Sequence, residues 1–345
     1  MKAVRLLGPN DFKTQEIAKP EISDDEILLK MKSTAICGTD MRILTGKKTR
    51  GVRYPSTIGH EICGIIDQVG KNVQGYTAGE KVAVANVIPC HSCAMCLSGH
   101  ENACMNRKAL AYEFDGGFAE YVLIPKICID SQNIVKLPDS VSFEEGSLIE
   151  PLACCLHGIK NTCIKMNDVV LIEGAGPIGL MHLQLAKLAG ARKVIVSEPN
   201  EFRRGKAEKL GADLLVDPTK EDLKEVIMKE TNKLGADAII LAIGVPPIVN
   251  QAFQLCKRNG YVCLFAGFAE KSTVTIDPNL IHYNEIKVTG STAYTRQDYR
   301  EAAELVKNGK INMKEIVTHK FSLDQFQEAY ETCKSGSGLK VCIVS

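Results

Sequence analysis

The sequence predicts an α/β protein with two domains, on the basis of two patterns and the chain length. Up to about residue 137, short strand-like runs alternate with turns, and five glycines fall between Ile58 and Val84. This density of strands and turns is typical of a compact, mostly antiparallel β domain. After Pro138, buried-strand runs alternate with helical spacing, which predicts a doubly wound parallel sheet covered on both faces. A chain of 345 residues is long for one domain and comfortable for two.

The individual elements follow from these patterns. Strand-like runs in the first part of the chain are Met1–Leu7, Glu26–Met31, Gly116–Ile124 and Asn133–Leu137. Strands of the parallel sheet are predicted at Val169–Ile172, Val194–Ser197, Ala238–Ile243, Tyr261–Phe265 and Ile286–Thr289. Helices are predicted at Ser142–Ile159, Gly179–Ala189, Arg296–Asn308 and Leu323–Cys333, and a last strand at Lys340–Ser345.

Composition and charge argue against several classes of function. The formal net charge is +1 and 45% of the residues are hydrophobic, which predicts a sizeable core and neither a nucleic-acid nor a membrane partner. The N-terminus lacks the pattern of a signal peptide, and no apolar run reaches the roughly 18 residues that span a bilayer. We therefore expect a cytoplasmic protein whose 14 cysteines are thiols and metal ligands and not a secreted disulfide framework.

The stretch from Cys37 to Glu61 holds the residues around which the chemistry is organised. Cys37, His60 and Glu61 supply a thiolate, an imidazole and a carboxylate. Zinc takes these ligand types, and a catalytic zinc site leaves one position open for water or substrate. Thr39 is spaced to place a hydroxyl beside that position. Taken singly, Cys37 and His60 would be interpreted as core residues; the combination with the motifs below favours a metal site.

A glycine-rich loop marks the cofactor half of the chain. The apolar strand that ends at Glu173 leads into a loop that opens a helix, with residues Gly174, Ala175, Gly176, Pro177, Ile178 and Gly179. These spacings allow a tight turn and bring a pyrophosphate close to the helix N-terminus. Glu198 follows about 20 residues later, where a carboxylate binds ribose hydroxyls and repels a 2′-phosphate. We therefore predict NAD(H) over NADP(H), with Arg203 near the adenosine ribose; the alternative is that Arg203 and Arg204 bind a 2′-phosphate.

Four cysteines in one short segment predict a second metal site. Two, two and seven residues separate Cys90, Cys93, Cys96 and Cys104. Such spacings let one loop surround a tetrahedral ion with four thiolates, a closed structural site. Disulfides are one alternative. An iron–sulfur cluster is another, but the bacterial ferredoxin run has a shorter last gap and a proline after the fourth cysteine. The sequence favours structural zinc, with His91 and His100 in solvent beside it.

Together these motifs resemble the zinc-dependent medium-chain dehydrogenase/reductase family of the alcohol dehydrogenase superfamily, in its sorbitol (polyol) and threonine dehydrogenase-like branch. The resemblance covers essentially the whole chain and is carried by Cys37–Asp40, Gly59–Glu61, the four cysteines, Asp115–Tyr121, Glu150-Pro151 and the glycine loop with Glu198. It implies a GroES-like catalytic domain over residues 1–150, completed by 293–345, and a Rossmann NAD(H)-binding domain over 151–292. The active site would lie in the cleft between them.

The resemblance also implies an activity and a set of metal ligands. The activity is that of a zinc-dependent NAD(H) oxidoreductase, which interconverts a secondary alcohol such as a polyol and its ketone. One catalytic and one structural Zn²⁺ are expected per chain. Cys37 and His60 would ligate the catalytic ion, and Glu61 and Glu150 would share the remaining role, one as a direct ligand and the other behind it or on the bound water. The sequence does not rank the two glutamates.

Proton transfer is the point at which the chain departs from its relatives. By the resemblance, Asp40 should orient His60 through a hydrogen bond, and Thr39 should bind the substrate hydroxyl and pass its proton onward. Many relatives then have a histidine two residues after the motif aspartate. This chain has Arg42, which cannot release a proton at working pH. The relay is therefore expected to end in the cofactor ribose, water or another group, with Arg42 facing phosphate or solvent.

The substrate and the assembly are less constrained by the sequence. By position in the family, the pocket walls would include Tyr54, Phe114, Phe118, Tyr294 and the turn at Thr292-Ala293, with ordinary core as the alternative for each aromatic residue. A basic run, Lys47, Lys48, Arg50 and Arg53, is either a solvated loop or a phosphate site. The sequence favours an unphosphorylated polyol. The alternatives are a polyol phosphate such as galactitol 1-phosphate, L-threonine 3-dehydrogenase-like activity, and a non-catalytic NAD-binding protein. Relatives are dimers or tetramers, so a homo-oligomer is expected, through Tyr261–Phe268 or Ile286–Thr289.

Overall fold

The structure is a computed structural model that describes all 345 residues. The chain divides into two compact units, which are described separately. The first unit contains Met1–Ala153 and Ala293–Ser345, and the second contains Cys154–Thr292. No helix combines the length and the apolar character that a membrane crossing requires.

The N-terminal part of the first unit is mostly β structure. Its strands are β1 (Lys2–Gly8), β2 (Asp11–Glu16), β3 (Ile27–Ala35), β4 (Glu61–Val69), β5 (Lys81–Val84), β6 (Val87–Ile88), β7 (Lys108–Ala109), β8 (Tyr121–Ile124) and β9 (Ile134–Lys136). Its helices are α1 (Gly38–Leu44), α2 (Ala94–Leu97), α3 (Lys126–Asp130), α4 (Phe143–Ser147) and α5 (Ile149–Lys160), the last of which runs on into the second unit, with a 3₁₀ turn at Glu101–Ala103.

The second unit is a parallel sheet with helices. Its strands are β10 (Val169–Glu173), β11 (Lys193–Ser197), β12 (Leu214–Val216), β13 (Ala236–Leu241), β14 (Cys256–Leu264) and β15 (Lys287–Gly290). Its helices are α6 (Pro177–Leu188), α7 (Glu201–Lys209), α8 (Leu223–Glu230), α9 (Pro246–Leu255) and α10 (Pro278–Asn284). The order is β12-β11-β10-β13-β14-β15, with every pair parallel. This is the strand order of a dinucleotide-binding doubly wound sheet, with its switch point between β10 and β13.

The chain ends in the first unit with α11 (Arg296–Lys307), β16 (Val317–Phe321), a 3₁₀ turn at Leu323–Gln325, α12 (Phe326–Ser335) and β17 (Lys340–Val344). These C-terminal strands complete a seven-stranded sheet of order β16-β17-β3-β4-β5-β9, with β8 also paired to β3. Strands β3 and β4 are apolar along most of their length and line a core with β5 and β8. The structure thus confirms the predicted α/β class.

Several elements differ from the sequence expectation. The predicted helix over 142–159 is two helices, α4 and α5, because α4 ends at Ser147. Leu148 is its C-cap, and its backbone N–H donates to carbonyls of the preceding turn. Strand β14 begins at Cys256, five residues before the predicted Tyr261. Pattern alone also missed β12 and β16, which are short or lack full burial.

Candidate metal centre and cofactor site

Three adjacent strands of the first unit bring the candidate metal ligands together. Strand β3 lies between β4 and β17 and is antiparallel to both, so that its last residue, Ala35, pairs with Glu61 and with Cys342. The end of β3 therefore meets the starts of its two neighbours. Cys37 follows β3, His60 directly precedes β4, and Glu61 is the first residue of β4. Residues that are more than 20 positions apart in the chain thus lie at one edge of the sheet.

Asp40 fixes both Cys37 and His60. Helix α1 begins after Cys37, whose sulfur accepts from the backbone N–H of Thr39 at 3.5 Å. The Oδ2 atom of Asp40 accepts from the backbone N–H of Cys37 at 2.9 Å, and Oδ1 lies 3.0 Å from Nδ1 of His60. Asp40 is fully buried. A carboxylate on Nδ1 favours the tautomer that leaves Nε2 free to bind a metal.

A glycine is required beside His60. Gly59 has φ of +96°, and a Cβ atom at this position would lie 2.8 Å from the ring of Phe118. Any other residue would be strained in its backbone and would also clash with a core side chain. The chain therefore passes close to Phe118 directly before His60.

Cys37, His60 and Glu61 form a compact set of donor atoms. One atom from each lies within 4.8 Å of the other two. Glu61 is fully buried, yet its Oε2 atom has no hydrogen-bond partner. Burial lowers the pKa of the His60 imidazole, but the negative charges of Asp40 and Cys37 outweigh burial and raise that pKa well above its ordinary value. Sulfur, nitrogen and oxygen donors in a negative field, with one orphaned carboxylate oxygen, fit a zinc ion.

Glu150 lies near this set but outside it. It stands in the first turn of α5 and is 7% exposed. Burial raises the pKa of its carboxyl to about 7; the His60 charge opposes this rise and the Glu61 charge adds to it. Glu150 is thus close enough to both residues for their charges to act on its carboxyl group, although it is not among the donors grouped within 4.8 Å.

Lys340 is a site residue that the sequence reasoning missed. Its Nζ atom lies 2.5 Å from Oε1 of Glu61 and donates to the carbonyl of Ile36 at 3.2 Å. Burial lowers the pKa of Lys340, but the Glu61 carboxylate outweighs burial and raises that pKa above its ordinary value. The one available signal was a lysine at the start of the otherwise apolar run Val341–Val344.

The four-cysteine lobe forms the second cluster. The sulfur atoms of Cys90, Cys93, Cys96 and Cys104 all lie within 4.8 Å of one another. Backbone N–H groups of Ser92 and Cys93 donate to Cys90 and lower the pKa of its thiol to about 5. Four thiols around one point, with one already favoured as thiolate, fit a closed structural zinc site. No disulfide is present, because all fourteen cysteines are free.

An ion pair fastens this lobe to the rest of the unit. The guanidinium of Arg296 donates to both carboxylate oxygens of Glu101 at 2.6–3.0 Å and to the carbonyl of Ser131 at 3.1 Å. His91 is exposed, as expected, and its Nε2 atom lies 2.9 Å from the hydroxyl of Ser131.

In the second unit, the glycine loop has the geometry that its spacing predicts. Gly174 follows β10 with φ of +99°, and α6 begins at Pro177, where a missing N–H costs nothing. A Cβ atom on Gly179 would lie 1.9 Å from the carbonyl of Gly174, so only glycine lets the helix pack on the loop. The exposed N–H groups at the start of α6 can bind a pyrophosphate.

Glu198 lies directly against this loop. Its two carboxylate oxygens accept from the backbone N–H groups of Ala175 at 2.8 Å and Asn200 at 2.9 Å, which leaves further lone pairs for a ribose. Arg204 donates to the carbonyl of Glu198 and pairs with Asp217 at 3.1 Å. Its guanidinium is thus occupied, which weakens the alternative of a 2′-phosphate site. Arg203 stands in the first turn of α7, where the side chain of Asn200 caps its backbone N–H.

Comparison with known proteins agrees with this geometry. The family described as alcohol dehydrogenase GroES-like domain matches residues 23–139, and that described as zinc-binding dehydrogenase matches residues 177–308. A sorbitol dehydrogenase of Halalkalibacterium halodurans is 32% identical over 97% of this chain and 96% of its own length. The chain belongs to the zinc-dependent medium-chain dehydrogenases.

Other relatives of the dehydrogenase differ in substrate. An L-threonine 3-dehydrogenase of Pyrococcus furiosus is 35% identical over 94% of this chain and 93% of its own. A D-arabitol-phosphate dehydrogenase of Enterococcus avium is 34% identical over 96% of this chain and 93% of its own length. Among solved structures, a zinc-binding dehydrogenase of Sinorhizobium meliloti bound to NADP is 34% identical, with a TM-score of 0.93 over 100% of this chain and 99% of that one.

Two of the aromatic residues expected in a pocket wall of the dehydrogenase belong to its core. Phe118 is fully buried and its ring lies 4.9 Å from that of Phe326. Tyr294 is 1% exposed and donates its hydroxyl to Asn86 at 2.7 Å. For these two positions the structure favours the core alternative, because packing partners distant in sequence cover them. Tyr54 remains exposed.

Proposed function

We propose that the chain is a zinc-dependent NAD(H) dehydrogenase that interconverts a secondary alcohol of the polyol class and its ketone. The observation that carries this proposal is the compact set of a half-buried Cys37 with buried His60 and Glu61, in which one oxygen of Glu61 has no hydrogen-bond partner. Residues 1–150 with 293–345 would form the catalytic domain, and residues 151–292 the NAD(H)-binding domain. A non-catalytic NAD-binding protein would have little reason to hold three oriented ligand types within 4.8 Å of one another.

The residues of the catalytic centre would each have one task. Cys37 and His60 would hold zinc with Glu61 or Glu150 as the further carboxylate, and the ion would supply Lewis acidity that makes an alcohol hydroxyl easier to deprotonate. Asp40 keeps the ring proton of His60 on Nδ1. The hydroxyl of Thr39 would accept the proton of the substrate hydroxyl, and NAD⁺ would accept the hydride.

The proton would leave the site without Arg42. This side chain is exposed and permanently charged, so it can attract an anion but cannot relay a proton. The hydroxyl of Thr39 would therefore pass the proton to a cofactor ribose hydroxyl or to water.

In the second unit, the cofactor would bind along the glycine loop. The pyrophosphate would accept hydrogen bonds from the backbone N–H groups of Gly176, Ile178 and Gly179. Pro177 has no N–H to donate. Glu198 would bind the adenosine ribose hydroxyls, with Arg203 nearby. Because the carboxylate of Glu198 would face a 2′-phosphate and Arg204 is already paired, we propose NAD(H) as the preferred cofactor. A kcat/KM that is higher with NADP would contradict this assignment of Glu198.

An unphosphorylated polyol is the substrate that the basic run supports best. Lys48 donates to the hydroxyl of Tyr112 at 2.7 Å, and Arg53 donates to the carbonyl of Tyr112 and pairs with Asp115. Two of the four cations are thus engaged within the protein. Lys47 and Arg50 remain exposed and keep a phosphorylated substrate, as in the arabitol-phosphate relative, as the second candidate.

Three further assignments concern the second metal site, the oligomeric state and the compartment. Cys90, Cys93, Cys96 and Cys104 would hold a second, structural zinc ion. Strand β15 forms the open edge of the six-stranded sheet with most of its residues exposed, and we propose that it pairs with a second copy in a dimer or tetramer. Free thiols throughout the chain support a reducing, cytoplasmic compartment.

A substrate panel tests the proposal. Polyols, their phosphate esters, L-threonine and simple secondary alcohols are each offered with NAD⁺, NADH absorbance is followed, and zinc is measured on the same sample. We expect turnover of a polyol and none of its phosphate ester. Turnover of the ester alone would establish the second candidate, and no turnover of any alcohol by protein loaded with two zinc ions would contradict the enzyme proposal.

A further inference from the structure

We propose that Glu173 is a specificity-determining residue of the cofactor site, whose carboxylic acid group hydrogen-bonds to the polar edge of the adenine base. The inference rests on the NAD(H) binding of the proposed function. It adds a contact to the base, which neither the glycine loop nor the ribose-binding Glu198 provides. Glu173 stands directly before the glycine loop in the chain.

Glu173 interrupts an apolar face of the parallel sheet. It is the last residue of β10, which lies between β11 and β13, and it pairs with Ser197 on one side and Leu241 on the other. Residues paired in neighbouring strands share a face, as do residues two positions apart in one strand. Leu171 and Leu241 on this face belong to the hydrophobic core. Glu173 thus places a carboxyl group on an apolar face, at the edge where doubly wound sheets bind their ligands.

The protein leaves the polar atoms at this position unsatisfied. Glu173 is 5% exposed and Ser197 is 3% exposed, yet Oε1 of Glu173 and Oγ of Ser197 have no hydrogen-bond partner. Burial raises the pKa of the Glu173 carboxyl to about 7, and the nearby Ser197 hydroxyl opposes the rise. At neutral pH the group therefore keeps its proton in a large share of molecules, and a protonated carboxyl both donates and accepts. Because buried polar atoms are normally paired, this position is suited to a polar ligand group.

The surroundings of Glu173 suit the adenosine half of a dinucleotide. Glu198, at the end of the neighbouring strand, would bind the ribose. On the opposite side of β10, Ile243 and Val245 follow β13 and are 44% and 38% exposed. Ile243 lies against the glycine loop, since a Cβ atom on Gly174 would be 3.4 Å from the Cβ of Ile243. A ribose at Glu198 and a planar base packed on Ile243 would bring the base across the end of β10, where Glu173 stands.

The hydrogen-bonding pattern of adenine complements a protonated carboxyl group. The amino group of adenine is a donor, and the ring nitrogens beside it are acceptors. A carboxylic acid can donate its O–H to a ring nitrogen and accept from the amino group with its carbonyl oxygen. The side-chain amide of glutamine offers the same pair of one donor and one acceptor, whereas leucine offers neither. Glu173→Gln is therefore the conservative variant, and Glu173→Leu is the variant that removes the contact.

The test compares two cofactors that differ only at the base. In etheno-NAD⁺, a two-carbon bridge between the amino nitrogen and a ring nitrogen of adenine removes the amino donor and blocks that edge. The dissociation constants of NAD⁺ and etheno-NAD⁺ are measured by titration calorimetry at neutral pH, on the wild type and on both Glu173 variants. Glu230→Leu is the matched control, because Glu230 pairs with Lys193 at the opposite end of β11.

We expect the wild type to bind NAD⁺ more tightly than etheno-NAD⁺, and Glu173→Leu to lower this preference about 10-fold, which corresponds to the loss of a hydrogen bond of ordinary strength. Glu173→Gln and Glu230→Leu should keep the wild-type preference. An unchanged preference in Glu173→Leu would overturn the proposal. A preference in Glu173→Gln as low as in Glu173→Leu would also contradict it, because the amide supplies the same donor and acceptor.

The ratio of the two dissociation constants separates a contact with the base from a purely structural role of Glu173. A variant that merely loosens the sheet binds both cofactors less tightly by a similar factor, so its ratio stays at the wild-type value. The measurement needs neither zinc nor a substrate. Failure of the wild type to bind NAD⁺ would overturn both this inference and the cofactor assignment, whereas NAD⁺ binding with an unchanged ratio in Glu173→Leu would overturn this inference alone.

Discussion

Replacement of Asp40 by asparagine tests how the centre holds its histidine. The aspartate uses both oxygens, Oδ1 at 3.0 Å from Nδ1 of His60 and Oδ2 accepting from the Cys37 N–H at 2.9 Å. Asparagine has the same shape but only one acceptor oxygen. If that oxygen faces His60, its NH₂ group opposes the N–H of Cys37. If it faces Cys37, the NH₂ group donates to Nδ1 and moves the ring proton to Nε2, the nitrogen that the metal requires.

Either orientation carries a cost that can be estimated. Leaving a buried donor unsatisfied costs about 1–3 kcal/mol, and a lost hydrogen bond to a charged group costs a similar amount. Loss of the outer partner of a metal-bound imidazole lowers metal affinity about 10–100-fold. We therefore expect Asp40→Asn to reduce the zinc affinity of the catalytic centre by that factor, to reduce kcat/KM when zinc is limiting, and to leave the cysteine lobe loaded.

The assay is zinc content per chain after equilibration with a series of chelator concentrations. Asp324→Asn serves as the control, because that carboxylate forms an exposed ion pair with Lys2. A variant Asp40→Asn that retains two zinc ions at wild-type chelator concentrations would refute the reasoning about the tautomer of His60.

Three further predictions concern stability. His182 is fully buried with neither ring nitrogen paired, and burial lowers its pKa to about 3. The unfolded chain binds a proton at this histidine with a pKa of about 6.5, whereas the folded state does not, so the free energy of unfolding falls as pH drops below about 6.5. Relative to its effect at about pH 8, His182→Leu should therefore raise the free energy of unfolding by about 3 kcal/mol at about pH 4. A gain that is independent of pH would contradict this. For Glu173 the pH dependence of stability has the opposite sign, because burial raises the pKa of its carboxyl group to about 7. The folded state therefore keeps a proton that the unfolded chain releases, stability falls as pH rises from about 4.5 to 7, and Glu173→Gln should gain about 3 kcal/mol at about pH 8 relative to about pH 4 in urea unfolding without cofactor. An equal effect at both pH values would show that Glu173 titrates normally. Finally, Arg296→Gln removes the bonds to Glu101 and should cost about 1.5–3 kcal/mol, with faster zinc release from the cysteine lobe than from the catalytic centre; equal release rates would show that the pair does not anchor the lobe.

The parts of the site that could be predicted from the sequence are those whose geometry is local. The glycine loop and the four cysteines are each contained in a short segment, so their spacing alone sets their shape. Cys37 and Asp40 likewise form one capping motif at the start of α1. Lys340 could not be predicted because it reaches Glu61 only through the pairing of β17 with β3, strands that lie some 300 residues apart.

Packing decided the remaining differences. Phe118 and Tyr294 have the size and character of pocket residues, and only their contacts with Phe326 and Asn86 show that they are core. The hydrophobic periodicity also does not reveal the break between α4 and α5. Leu148, which lies between the two helices, is buried and continues the apolar pattern. Burial against distant segments is the information that one sequence pattern lacks.

A single ion bound by Cys37 and His60 is proposed to make this chain an alcohol-oxidising enzyme. The most direct test is zinc content and NADH formation measured together on the wild type and on His60→Ala, with a polyol that the wild type oxidises. We expect two zinc ions per chain with turnover in the wild type, and one ion, no turnover and intact NADH binding in the variant. Near-wild-type oxidation by His60→Ala protein that lacks the second ion would contradict the account.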